Sequence, residues 1–190
     1  MKIQMTLRWL LAVFVVVSAG CAGVSKTRFV NPDFNFGFVE RVAVIPFENL
    51  SSDRQAGFRA TRLMITELLA TRAIDVIEPG EVTAALNRLA EGTSTPDTAQ
   101  VVALGKALNV EAVIVGSVNA ADSTRSGNVR IPVVTLDVHM IETQTGAAVW
   151  AVTVTEKGGG LGARLLGTAG EAQTETLRRC VRKVVRALIS

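Results

Sequence analysis

The side chain in this sequence best placed to be chemically modified is the thiol of Cys21. Lys2 and Arg8 lead into Trp-Leu-Leu-Ala-Val-Phe-Val-Val-Val, small residues follow as Ser18-Ala19-Gly20, and Cys21 closes the segment. That is the layout of an export signal ending at a lipid-attachment site, with a diacylglycerol on the thiol and an acyl chain on the new amino terminus. The competing reading, a membrane-spanning helix, fails on length. Trp9 to Gly20 is 12 residues, where about 20 are needed to cross the hydrocarbon. The chain also turns polar at Ser25, Lys26, Thr27 and Arg28. Signals of this kind usually carry Leu three places before the cysteine, and Ser18 departs from that.

Other candidate chemistry is thin. Thr135, Asp137 and His139 alternate along one predicted strand, but neighbours on one strand face point in parallel, whereas a hydrolytic triad needs convergence. His139 is the only histidine, so a solvated or paired surface role is expected for it. With one His and one remaining Cys, no metal-ligand set of three or four can be assembled. Gly158 to Ala163 satisfies G-x-G-x-x-A between a strand and a helix, but no later strand supplies an acid for the ribose. Gly162 and Gly167-Thr168 have P-loop spacing without its lysine. No catalytic residue, cofactor site or metal site is therefore expected. Cys180 has no intramolecular partner once Cys21 carries lipid, which points to a buried thiol.

Charge excludes another class. The chain has 20 Lys+Arg against 17 Asp+Glu. Loss of Lys2 and Arg8 with the signal leaves 18 against 17, a net charge of +1, and nucleic-acid binding would need a basic stripe. The last helix carries Arg178, Arg182 and Arg186 with Arg179 and Lys183 beside them, after Glu171 and Glu175. Acids early and bases late complement the helix dipole, so a solvated face is expected, with contact to anionic lipid or an acidic partner as the alternative.

The elements that must position these groups follow from periodicity. Residues 22–37 read as a tether in which Phe34, Phe36 and Phe38 alternate as in an extended segment, either an edge strand on its own domain or a strand that docks a partner. Val39 to Phe47 is a buried strand ended by Pro46, and Ser52 or Asp53 is available to cap a helix from Arg54 to Arg72. Ile74 to Ile77 is a short strand closed by Pro79-Gly80. Val82 to Leu89 and Val101 to Leu108 mark two helices, the second preceded by a loop and cap ending at Asp97. Ala112 to Val118 is a buried strand, Asp122 to Asn128 a polar loop, and Val129 to Glu142 a strand with one buried face. Gly146 supplies a positive-φ turn into Ala148 to Glu156. A glycine-rich loop, 158–170, precedes the last helix, striped by Leu177, Val181, Val184, Val185 and Leu188.

This order predicts an α/β (α+β) domain. One mixed β-sheet of about five to six strands is packed with about four helices in a two- or three-layer sandwich. The expected division is 1–20 signal, 21–37 lipidated tether and 38–190 domain.

Several stretches together resemble the CsgG/LpoB-type lipoprotein superfamily. They are Arg41-Val-Ala-Val-Ile-Pro-Phe47 with Asn49; Ile74-Asp-Val-Ile-Glu-Pro79; Val110-Glu-Ala-Val-Ile-Val-Gly-Ser117; and Val138-His-Met-Ile-Glu-Thr-Gln-Thr-Gly-Ala-Ala-Val-Trp150. The resemblance implies a non-enzymatic envelope lipoprotein. The membrane hairpins of the curli channel would fall between Asn119 and Val129 and after Glu156. Both intervals are too short and polar or glycine-rich for a spanning hairpin. The expected function is a lipid-anchored periplasmic binding module, on the outer membrane given Ala22 after Cys21, whose partner is an envelope protein. The alternative is a ring-forming export component built by self-association.

Overall fold

The computed structural model describes residues 26–89, 97–126, 129–158 and 173–190. Among them are seven strands: β1 (Lys26–Val30), β2 (Arg41–Val44), β3 (Glu48–Asn49), β4 (Asp75–Val76), β5 (Ala112–Ser126), β6 (Val129–Glu142) and β7 (Ala148–Lys157). Four helices accompany them: α1 (Ala56–Thr71), α2 (Pro79–Leu89), α3 (Thr98–Leu108) and α4 (Gln173–Ile189). The strands form one mixed sheet in the order β1-β7-β6-β5-β2-β4, with β3 pairing β5. The expected α+β architecture is found. The strands beyond the expected count include β1 and the two-residue β3.

The sheet divides the core in two. Val42 and Val44 of β2, Ile114 and Val118 of β5, Val134 to Met140 at alternate positions of β6, and Trp150, Val152 and Val154 of β7 share one face with Met64 and Leu68 of α1 and Leu177, Val181, Val184 and Val185 of α4. Ala43, Ile45 and Val113 point the other way, onto Val82 and Ala85 of α2 and Val101, Leu104 and Leu108 of α3. Continuous apolar runs in β2 and β5 follow from burial on both faces, and the alternation in β6 follows from burial on one.

Local chemistry sets the boundaries. Asp97 caps α3 in a capping box, accepting from the Gln100 N–H while Gln100 reaches back to its backbone. Pro79 opens α2 rather than closing the preceding strand, because the first helical position needs no N–H. α1 has no side-chain cap of its own; Asp53 instead accepts from the Gln55 N–H and pairs with Arg59. Gly105 is required by contact: a Cβ there would lie 2.2 Å from the Thr143 side chain.

Two expectations are corrected. Phe34, Phe36 and Phe38 do not lie on a strand. Asn35 accepts from the Gly37 N–H and turns Phe36–Phe38 into a 3-10 helix. This folds Phe34 and Phe36 edge-to-face at 4.9 Å against the core and leaves Phe38 exposed. The strand of this region is β1, upstream, which pairs antiparallel with β7. Asp122 to Ser126 is not a loop either. β5 continues through it, with Thr124 opposite Ile131 and Arg125 opposite Arg130. Asp122 to Arg125 are all exposed and are held by backbone pairing to β6, so hydrophobic patterning does not mark them as strand.

The β6–β7 turn supplies a pH-dependent contribution. Gly146 has φ +75°, as the turn requires. The Glu142 carboxylate accepts from the Gln144 and Thr145 N–H groups, each at 2.9 Å, and from the Thr145 hydroxyl. Burial disfavours its charged form, but these donors together outweigh burial and hold the carboxyl below its ordinary 4.5. A depressed carboxyl stabilises the fold above its unfolded pKa, and that gain is lost as pH falls through the folded value. Glu142→Gln is expected to cost about 1.5–3 kcal/mol at neutral pH, the range for hydrogen bonds to a charged group. The urea midpoints of the two proteins should converge in acid; a gap independent of pH would refute the assignment.

Candidate functional site

The strongest candidate surface is the face of the sheet that the described helices leave uncovered. α2 and α3 pack only over the β2 and β5 region of this face, with Val115 and Ile141 at their border. From this border outward, register aligns Ser117, Asp137, Thr153 and Thr27 across four strands, and beside them Val115, His139, Ala151 and Phe29. Thr135 and Thr155 continue the face and share a hydrogen bond at 3.0 Å. Phe29 is 51% exposed. The result is a flat, half-buried polar surface with an aromatic residue at its outer edge.

Its central cluster is not a catalytic triad. Thr153 Oγ1 donates to Asp137 Oδ1 at 3.2 Å, and His139 Nε2 lies 3.4 Å from the same oxygen. The carboxylate stands between hydroxyl and imidazole, whereas nucleophilic activation needs the imidazole between the other two. The arrangement can offer hydrogen bonds to a partner. The sequence singled out Thr135, Asp137 and His139, and Phe29 only as one of the tether's Phe residues, but missed Thr153 and Thr155, because only cross-strand register brings them all onto this face.

The basic helix is largely committed internally. Arg182 pairs with Glu67 of α1 at 3.2 Å, Lys183 and Arg179 pair with the buried Glu156 of β7, and Arg178 pairs with Glu175. The contacts of Arg182, Lys183 and Arg179 fasten α4 to α1 and β7, while the basic face stays solvated, with Arg178 and Arg186 exposed. Among the described residues, no group of three or more His, Cys, Asp or Glu could hold a metal ion. The glycine-rich run after Gly158 and the lipidation residue Cys21 both lie outside the described residues.

Cys180 is buried beneath α4, its Sγ donating to the Val154 carbonyl at 3.4 Å. Burial, reinforced by Glu156, pushes the thiol from 9.0 up to about 12. The thiolate fraction at mildly alkaline pH is then roughly a thousandfold lower than for a free thiol with the ordinary value, and the thiolate is the reactive form. A thiol reagent should therefore label Cys180 only after urea is added. Rapid labelling of the folded protein would contradict this burial.

A groove of about 550 Å³ opens at the other end of the sheet, between the 3-10 turn and the ends of α1 and α4, with Glu40, Arg72 and Asp75 beside Phe36, Ile74 and Ile189.

No protein-family model and no curated protein matches the chain. Solved structures do. The PelC dodecamer from Paraburkholderia phytofirmans aligns with a TM-score of 0.57 at 18% identity, over 87% of this chain and 97% of that one. Lipoprotein GNA1162 from Neisseria meningitidis aligns with 0.55 at 14% identity, over 79% and 98%. This chain shares their fold. The LpoB C-terminal domain from Salmonella enterica aligns with 0.48 at 15% identity, over 61% and 81%, too loosely to add to the fold assignment.

Proposed function

We propose that this chain is a non-enzymatic lipoprotein, acylated at Cys21 and held on the periplasmic face of the outer membrane. It binds an envelope protein in cell-envelope assembly or secretion. In this reading residues 1–20 leave as the signal, 21–25 link the lipid to the body, and the expected domain 38–190, extended by β1 and the Phe34–Phe38 turn that pack on it, forms the binding domain. The uncovered sheet face carries the proposal, since an ordered row of hydroxyl, carboxylate and imidazole groups beside exposed Phe29 suits recognition by contact. Similarity of fold to lipoprotein GNA1162 is in keeping with this.

A photo-crosslinking residue at Thr153 in intact membranes should give one discrete adduct, weakened severalfold by Phe29→Ala. The same residue at Gln144, on the β6–β7 turn, should give none. Equal adducts at both positions, or none at either, would remove the face from the proposal.

The second reading is a ring-forming export component. It is favoured by a sheet whose two lateral strands, β1 and β4, each leave one edge unpaired among the described residues, and by the fold shared with PelC, described as a dodecamer. The mass of detergent-extracted protein separates the two. A monomer or dimer supports the accessory role, and a closed ring of many copies supports the export component.

A further inference from the structure

We infer that one end of the sheet, the end where β1 begins, rests on an anionic phospholipid surface; this rests on the proposed acylation of Cys21. Register places Lys26, Val154, Leu136 and Val118 side by side, with Asn49 next to Val118. β1 starts on this row and runs away from it. Five residue steps separate Cys21 from Lys26, a reach of at most about 18 Å. Beyond the same row, on the side from which β1 comes, β7 follows β6 as far as Lys157 opposite Val133, and β5 and β6 then continue as a two-stranded ribbon. The six residue steps on β6 from Leu136 back to Arg130, which stands opposite Arg125, carry the paired strands about 20 Å past the row. The reach of the link and that of the ribbon are therefore matched, and a lipid at Cys21 brings the ribbon to the bilayer.

The chemistry of this end fits that occupant. Lys26 starts β1, Lys157 ends β7, and Arg125 and Arg130 stand on the ribbon; all four are exposed. None of them has an ion pair among the described residues. Arg125 and Arg130 lie directly opposite each other, a like-charge pair that destabilises an isolated ribbon and is relieved by an anionic surface. Neighbouring acids are mostly engaged: Asp122 accepts from Ser52, Asp53 pairs with Arg59, and Glu156 is buried against Lys183. Glu48, exposed, lies one step inside the row opposite Ser117. Leu50 and Phe58, at the same end, are 60% and 64% exposed, and the guanidinium of Arg62 lies 5.6 Å from the Phe58 ring centre. Exposed apolar groups beside unpaired bases suit the headgroup region of a bilayer.

The test uses the full acylated protein added to preformed vesicles, either phosphatidylcholine alone or with phosphatidylglycerol. A fluorophore is placed on Ser123→Cys of the ribbon or on Gln144→Cys at the far end, and a quencher is carried on lipid headgroups. The ribbon label should be quenched on the anionic vesicles and much less on the neutral ones, with the far label unquenched on both. Arg125→Gln and Arg130→Gln should each lower the odds of the docked state roughly fivefold while the protein still floats with the vesicles. Equal quenching of the two labels, or none, on protein that floats would overturn the docking and leave the anchor standing. Protein that fails to float with either vesicle would overturn both.

Discussion

Cys21→Ser is expected to move the protein from the membrane fraction to the soluble fraction, or to trap it as the longer precursor. The argument is one of retention. Each buried CH₂ contributes about 0.8 kcal/mol, so a multiply acylated terminus is a stable anchor where a single chain is marginal. Among the described residues no helix is long and apolar enough to cross a membrane. Without acyl chains, the basic end of the sheet would be left to hold the bilayer, and a few surface charges are screened at physiological salt. Fractionation with a salt wash, followed by mass measurement of the amino-terminal peptide, checks the prediction. Wild-type partitioning of the serine variant would overturn acylation as the anchor.

Trp150→Ala should cost about 3–5 kcal/mol, the range for emptying a buried tryptophan site. Trp150 is 1% exposed near the start of β7 and lies in the core shared by the sheet with α1 and α4. Its indole N–H has no partner among the described residues. Trp150→Phe removes that unsatisfied donor along with the ring volume and should therefore cost less than half as much. The other tryptophan, Trp9, lies in the proposed signal, so in the mature chain fluorescence would report Trp150 alone. Urea unfolding followed by circular dichroism suits all three proteins. Equal losses for Ala and Phe would refute core packing as the source of the cost.

These two sites were legible to different degrees. Cys21 is written into a local pattern of charge, apolar run and small residues, which needs no fold to be read. Trp150 stood on the buried side of an alternating strand, so its face could be read, although its position in the packed centre could not.

Periodicity determined a good deal of this protein by itself. The alternation of Val134, Leu136, Val138 and Met140 and the stripe of Leu177, Val181, Val184 and Val185 all end in one core, because burial on one face imposes the period of each element. Cys180, too, is buried as its lack of a partner implied. What escaped the sequence lacks a buried face or depends on distant pairing. All five residues of β1 are exposed, and the Asp122–Ser126 ribbon is held by backbone hydrogen bonds that any side chain permits. The Phe alternation was overridden by one Asn35 hydrogen bond that turned the chain. The bases of α4 met Glu67 and Glu156 only through packing across 115 and 27 residues. The row of Thr27, Thr153, Asp137 and Ser117 exists only through strand register. Composition and period set which side of each element is buried, and tertiary structure alone decides which exposed groups become neighbours.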